Sequence, residues 1–290
     1  MNVAPARRDD FLALMQENYG SAMTADEFDW WFDGNPAGPR ILNEARDDDG
    51  TPLGVLAMSG ARMSQGQASF AVHAVTTPAA RGRGVFSTLE LRNEEEAARA
   101  GAAWALGFTN PQAGPILVGR LGWEDVCSLR IWVRPKRLRK RSGGGLRVPA
   151  SCPPFEPRHE VSFAAHSFVH DVAYLDWRYA RSPREYLRVD GDESWAVVTH
   201  AVWHGYSSAV ICDAVGRGLR SLLGRCSAAV DADIAVAMVN PGEERAYLAA
   251  GFVPTPRQIR FIGKRITDDA PPLPKRRDAW RFSLGDMDFF

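Results

Sequence analysis

Residues 75–89 read Val-Thr-Thr-Pro-Ala-Ala-Arg-Gly-Arg-Gly-Val-Phe-Ser-Thr-Leu. A β-branched run ends at Pro78, a basic Gly-rich turn follows at Arg81-Gly82-Arg83-Gly84, and helical spacing begins near Val85. A strand, a glycine turn and a helix start in that order form an anion site. The first helical amides have no partner within the helix, and the helix dipole is positive there. Glycines let a backbone approach a phosphate closely, and Arg81 and Arg83 offer charge-assisted hydrogen bonds. The expected ligand carries a phosphate or diphosphate. A P-loop is excluded, because no Gly-x-x-x-x-Gly-Lys-Ser/Thr is present. A dinucleotide fingerprint is disfavoured, because Ser87 stands where its third glycine is needed.

The rest of the composition is that of an ordinary globular chain. It has 290 residues, which favours two domains, with 45% hydrophobic and 24% charged residues. Lys+Arg and Asp+Glu balance at 35 each, so nothing marks a general polyanion binder and nucleic acid is not an expected partner. No apolar run reaches the ~20 residues of a membrane span, and the first residues lack an apolar leader core, so the expected location is the cytoplasm. Cys127, Cys152, Cys212 and Cys226 lack metal or redox spacing and read as reduced thiols. His166 and His170 have i,i+4 spacing, but no Glu follows His166, so capping or core roles are favoured over metal.

Working outward from the glycine turn, a helix is expected over 7–19. A second starts at the capping box Thr24-Ala25-Asp26-Glu27 and ends before Pro36. Strands are expected near 40–46, 52–63 and 67–77, a helix at 85–100, a strand at 103–109, a helix at 111–121 and a strand at 127–134. Basic residues 136–141 followed by Gly143-Gly144-Gly145 and prolines read as a linker over 136–160, separating domains at 1–135 and 161–290.

The second half repeats the first. Trp31-Phe32-Asp33-Gly34-Asn35-Pro36 resembles Trp177-Arg178-Tyr179-Ala180-Arg181-Ser182-Pro183. Gly82-Arg83-Gly84-Val85 resembles Gly216-Arg217-Gly218-Leu219, and Asn110-Pro111 resembles Asn240-Pro241. The matches keep their order, and Gly82 lies 28 residues before Asn110 where Gly216 lies 24 before Asn240. Two copies of one βα unit are implied.

Arg81-Gly82-Arg83-Gly84-Val85-Phe86 resembles the diphosphate loop of GNAT acyltransferases, Arg/Gln-x-x-Gly-x-Gly/Ala, apart from Phe86 in place of a small residue. Trp31, Asn35, Pro36 and Gly38, then Leu175-Asp176-Trp177-Arg178-Tyr179, then Trp280 and Gly285-Asp286-Met287-Asp288, resemble a tandem branch of that family. Some members of that branch acylate nucleotide-linked amino sugars. The resemblance implies a mixed α/β chain of two tandem GNAT-like domains, each a mostly antiparallel sheet flanked by helices. It implies direct transfer from acetyl-CoA or another short acyl-CoA to a small-molecule primary amine, an amino sugar among them.

The resemblance also assigns roles. Val75 and Thr77 lie on the strand that offers backbone groups to pantetheine, the Val75 amide being the oxyanion donor. Arg81, Gly82, Arg83, Gly84, Val85 and Phe86 hold the diphosphate, and Asn110 helps hold the cofactor. His73 is the candidate base, since an unperturbed histidine side chain is suited to taking a proton near neutral pH. Asp29, Trp31, Asn35, Tyr247, Asp286 and Asp288 are candidates for the acceptor side. The second copy is degraded, with Val215 in place of Arg81. The family's tyrosine acid is matched by Tyr247, while the first copy has Val118 at that place. Two other readings stand beside this one: a catalytically silent CoA-binding or partner-binding module, and an aminoacyl-transferring relative whose 136–141 run would meet RNA.

Overall fold

The computed structural model describes residues 1–20, 23–136, 146–147 and 166–287. In chain order the elements are β1 (Asn2–Pro5), α1 (Arg8–Tyr19), α2 (Ala25–Phe28), β2 (Ile41–Arg46), β3 (Pro52–Met63), β4 (Gly66–Thr76), α3 (Val85–Arg99), β5 (Trp104–Thr109), α4 (Gly114–Arg120) and β6 (Glu124–Pro135). There follow β7 (Leu146–Arg147), β8 (His166–Ser167), α5 (Val172–Leu175), β9 (Leu187–Asp190), β10 (Ser194–Trp203), β11 (Tyr206–Gly216), α6 (Leu219–Ala229), β12 (Ile234–Met238), α7 (Glu244–Ala249), β13 (Val253–Arg265) and β14 (Trp280–Arg281).

Two compact units result. The first holds Met1–Val126 and Arg260–Lys275, the second Cys127–Ile259 and Arg276–Phe290. This departs from a cut at 135 and 161. Residues 127–135 serve the second unit, where β6 pairs with β12, and Arg260–Arg265 of β13 serves the first, pairing antiparallel with β5. Sequence periodicity finds such strands but cannot say which sheet they join, because pairing is a tertiary choice. Most of the expected 136–160 linker, and Asp288, lie outside the described residues.

The first unit's sheet runs β1-β2-β3-β4-β5 and then the 260–265 part of β13. All its pairs are antiparallel except β4–β5, which runs parallel through Ala68–Phe70 and Trp104–Leu106. Val85, Leu89 and Ala97 of α3 pack on Leu53, Leu56 and Met58 of β3. The same inner face buries Glu90, Asn93 and Glu94. Asn93 accepts from Asn43 Nδ2 at 2.8 Å and donates to Leu56 O at 3.0 Å, which satisfies it. Glu94 accepts from Trp123 Nε1 at 2.7 Å and Lys264 Nζ at 2.5 Å.

Glu90 has no such support, for its Oε1 is buried without a hydrogen-bond partner among the described residues. Burial first, then the Glu94 charge, push its carboxyl up to about 8 against the pull of Lys264. Folded Glu90 therefore keeps its proton while the unfolded chain loses one from about pH 4.5. Glu90's contribution to the stability of the first unit is expected to be complete below that pH and to fall by ~1.4 kcal/mol per pH unit until the pH nears 8. Urea melts of wild type and Glu90→Gln across this range check it. The variant's slope should be flatter, and identical slopes would remove Glu90 as the cause.

The second unit's sheet runs β6-β12-β11-β10-β9-β7, with β11–β12 its parallel pair. It reproduces the first unit in detail. Each unit's central hairpin carries one bulge, between Ala57 and Met58 opposite β4 and between Val197 and Val198 opposite β11. Ala103 N–H donates to Gln67 O at 2.8 Å, as Asp233 N–H does to Ser207 O at 2.8 Å. Both short helices α2 and α5 have a side-chain N-cap, Thr24 and Asp171, and run into a π-helical turn, Asp29–Asp33 and Asp176–Ala180. Those turns pair Trp30, not Trp31, with Trp177. The sequence match was one residue out of register because two tryptophans adjoin.

Candidate functional site

In the first unit β4 and β5 stop pairing after Phe70 and Leu106, although β4 continues to Thr76. A wedge-shaped opening results, with the β4 backbone on one wall. Thr77 N–H donates to Leu53 O at 3.0 Å, and the register pairs Val75 with Val55 two residues back. Hydrogen-bonded pairs recur at every second residue of an antiparallel ladder, so the Val75 amide points into β3. The groups facing the opening are those of Ala74 and Thr76. The Val75 amide, expected to face the ligand, therefore points away from the opening, and Val75 contributes a buried side chain. The alternation was legible in sequence, but its phase is set by the bulge at residue 72, which was not.

The opening leads into the glycine turn. After Pro78–Ala80, a 3₁₀ turn, Gly82 and Gly84 take φ of 79° and 80°, left-handed backbone that favours glycine. Gly84 is the residue that caps α3. A Cβ at either glycine would meet no atom within 4 Å, so the space beside both glycines is open. Arg81 is exposed, while Arg83 is held by Asp47 at 2.9 Å. Asp47 is in turn lowered from its usual carboxylate range by that hydrogen bond. Val85 is buried under the loop, and Phe86 packs between the two aliphatic clusters beside α3. Asn110 ends β5 exposed, with Oδ1 accepting from Gln112 and Ala113 N–H, each at 2.9 Å.

His73 lies one residue past the bulge, half-buried, with Phe11 and Phe32 ring centroids 6.1 and 6.2 Å away. Tyr19, which the sequence reading passed over, donates its hydroxyl to Ala74 O at 2.9 Å. The acceptor-side candidates are more engaged than expected. Asp29 pairs with Arg8 at 2.9 Å, and Trp31 is buried. Asn35 donates to Gly60 O and accepts from Ala37 N–H, holding its own loop. A 520 Å³ cavity beside it is lined by Phe32, Asp33, Asn35, Arg40 and Glu96, among others.

The second unit puts different chemistry on the same scaffold. Asp213 stands in register where His73 does, and Tyr179 where Phe32 does, and the two are hydrogen-bonded. His170 Nε2 lies 2.6 Å from Asp286 Oδ1, and its Nδ1 3.6 Å from Asp213 Oδ1. Burial lowers the His170 pKa, but the carboxylates of Asp286 and Asp213 outweigh it and the net is a rise to about 9. Asp286 is thus already engaged by the His170 imidazole, whose charged form it favours. It was expected on the acceptor side, and its His170 and Asp213 neighbours lie 116 and 73 residues away in sequence. Tyr247 is buried against Phe252 in the aliphatic core under α6, and burial raises its hydroxyl well above the ordinary range. The glycine turn is shorter here, for only Arg217 and Gly218 separate β11 from α6, where eight residues separate β4 from α3. A Cβ on Gly216 would come within 2.2 Å of Glu193 O, so that glycine serves packing.

No family model matches this chain, and no curated protein matches it in sequence. Solved structures do match in shape. A putative acetyltransferase from Pyrococcus horikoshii is 13% identical, with 98% of this chain and 95% of that one covered at a TM-score of 0.64. A GCN5-related N-acetyltransferase from Kribbella flavida is 14% identical, with 91% and 72% covered at 0.62. The fold is that of the GCN5-related N-acetyltransferases. Eis1 from Mycobacterium abscessus is similar at 13% identity, with 92% and 74% covered and a TM-score of 0.57. The GNAT fold accounts for the parallel β4–β5 pair that parts beside a glycine turn. Among the described residues no helix is long and apolar enough to cross a membrane, and no group of three or more His, Cys, Asp or Glu is placed to hold a metal ion.

Proposed function

We propose that the first unit is an acyl-CoA-dependent N-acyltransferase acting on a small primary amine, with amino sugars the first acceptors to try. The observation that carries this is the junction of an open β4–β5 wedge with a glycine turn that is open at Gly82 and Gly84 and leads straight into the first turn of α3. A diphosphate fits there through the first-turn amides of α3 and Arg81, the Arg83 amide being bonded to Ala80 O at 3.2 Å, and an amide-bearing arm fits along Ala74 and Thr76. Bound acyl-CoA would supply the activated acyl group. The chain's own contribution is to orient it, to offer a backbone N–H of Ala74 or Thr76 to the developing oxyanion, and to accept the amine's proton. Both units carry a proton-exchanging side chain at the post-bulge position, which supports His73 for the last role.

His73→Ala is expected to lower turnover by roughly 10²–10⁴-fold and to remove the acidic limb of the rate profile. CoA affinity should change little. Turnover retained in the variant, with any loss following its melting curve, would leave His73 a packing partner of Phe11 and Phe32 only. Screening acetyl-CoA against a panel of amines, with CoA release as the readout, tests the reaction itself. CoA binding without turnover of any amine would favour the silent module.

A further inference from the structure

The second unit contains the same opening as the first, and it is filled. β11 and β12 pair in parallel over Ser208–Ile211 and Ile234–Ala237 and then part, as β4 and β5 do. Across the gap runs the chain's own C-terminal segment. The Asn240 carboxamide, at the end of β12, donates to Phe282 O and accepts from Phe282 N–H, both at 2.9 Å. On the β11 side, Gly285 packs against Tyr179 and Asp213 so closely that a Cβ would fall 1.9 Å from the Tyr179 hydroxyl. Arg178, itself buried, donates to Gly285 O at 2.8 Å and Met287 O at 3.2 Å, and Asp286 meets His170. The counterpart Asn110 is exposed, whereas Asn240 is buried.

We propose that the β11–β12 opening is a binding groove for an amide-bearing chain, and that its resident ligand is the protein's own segment 280–287, a short strand at Trp280–Arg281 followed by a 3₁₀ turn at Leu284–Asp286. The groove reads backbone: the amide and carbonyl of residue 282 and the carbonyls of 285 and 287. Two side chains do this reading, the Asn240 carboxamide and the Arg178 guanidinium. Asp286 supplies the anchoring charge, and Gly285 the close approach. The proposal stands independently of the acyl-transfer reading. One consequence links them: with its opening occupied and its glycine turn shortened, the second unit takes no acyl-CoA, so a chain binds one.

The test separates a ligand from an ordinary piece of core. A specific protease site is inserted between Lys275 and Arg276, whose side chains are 62% and 73% exposed, and the full-length protein is cut after folding. Native mass spectrometry should show the 276–290 fragment still attached. A fluorescein-labelled synthetic peptide of 276–290 should then displace it, saturating at one per chain, with hydrogen-exchange protection of β10, β12 and α6 kept throughout. Asn240→Asp, which loses the donor to Phe282 O, should weaken the peptide at least tenfold. If that variant does not fold, Asp286→Asn in the peptide itself should weaken it. A fragment that leaves only when β10 and β12 lose protection, or a scrambled peptide that binds equally well, would overturn the proposal.

Discussion

Asp286→Ala is expected to destabilise the second unit by about 3–5 kcal/mol, the usual effect of removing one partner from a buried ion pair. The Asp286 side chain is 1% exposed and that of His170 23%, so solvent screens the pair poorly. The substitution strands the imidazolium with Asp213 at 3.6 Å as its nearest remaining carboxylate, and frees Ser283 N–H, which donates to Asp286 Oδ2 at 2.7 Å. Asp286→Asn should cost less, since a hydrogen bond to His170 survives. The His170 pKa rise to about 9 fixes the pH dependence. Its contribution is complete below about pH 6.5, where folded and unfolded chains both hold the proton, and is lost as pH rises through 9. Denaturant melts read by hydrogen exchange on β10–β12 check both points. A loss under 1 kcal/mol with no pH dependence would mean that the pair is solvated.

CoA affinity is expected to fall about a hundredfold in the Arg81→Ala/Arg83→Ala double variant. Hydrogen bonds to charged groups contribute roughly 1.5–3 kcal/mol each. The two arginines are unequal, however. Arg83 is held by Asp47, so its charge is shared and its guanidinium must leave a 2.9 Å contact to reach a ligand. Arg81→Ala should account for most of the loss, and Asp47→Ala should leave affinity unchanged or raise it. Neither arginine is buried, so melting temperatures should stay close to wild type. Calorimetric titration gives all four numbers, and an unchanged affinity in the double variant would remove the loop from the site.

The first unit was largely legible in sequence, because its signals are local. The Thr24–Glu27 capping box, the 75–89 turn, the strand runs and the helix from Val85 all depend on neighbours within a few residues. The exchange of residues 127–135 and 260–265 between units was not legible, since strand pairing depends on the far end of the chain. The phase of β4 was not legible either, because one bulged residue decides which amides face the opening. His170, Asp213 and Asp286 lie up to 116 residues apart, and each alone reads as a capping or surface residue. The repeat held the missing signal. It places Asp213 where the first unit has His73, and a buried carboxylate in that slot calls for a cation nearby.

Hydrogen–deuterium exchange with and without CoA tests the site most directly, because it reports position as well as binding. Protection is expected over residues 74–77 and 81–86 and at the amides after Asn110, with residues 212–222 of the second unit unchanged. Protection at 212–222 instead, or none at saturating CoA, would contradict an acyl-CoA site in the first unit.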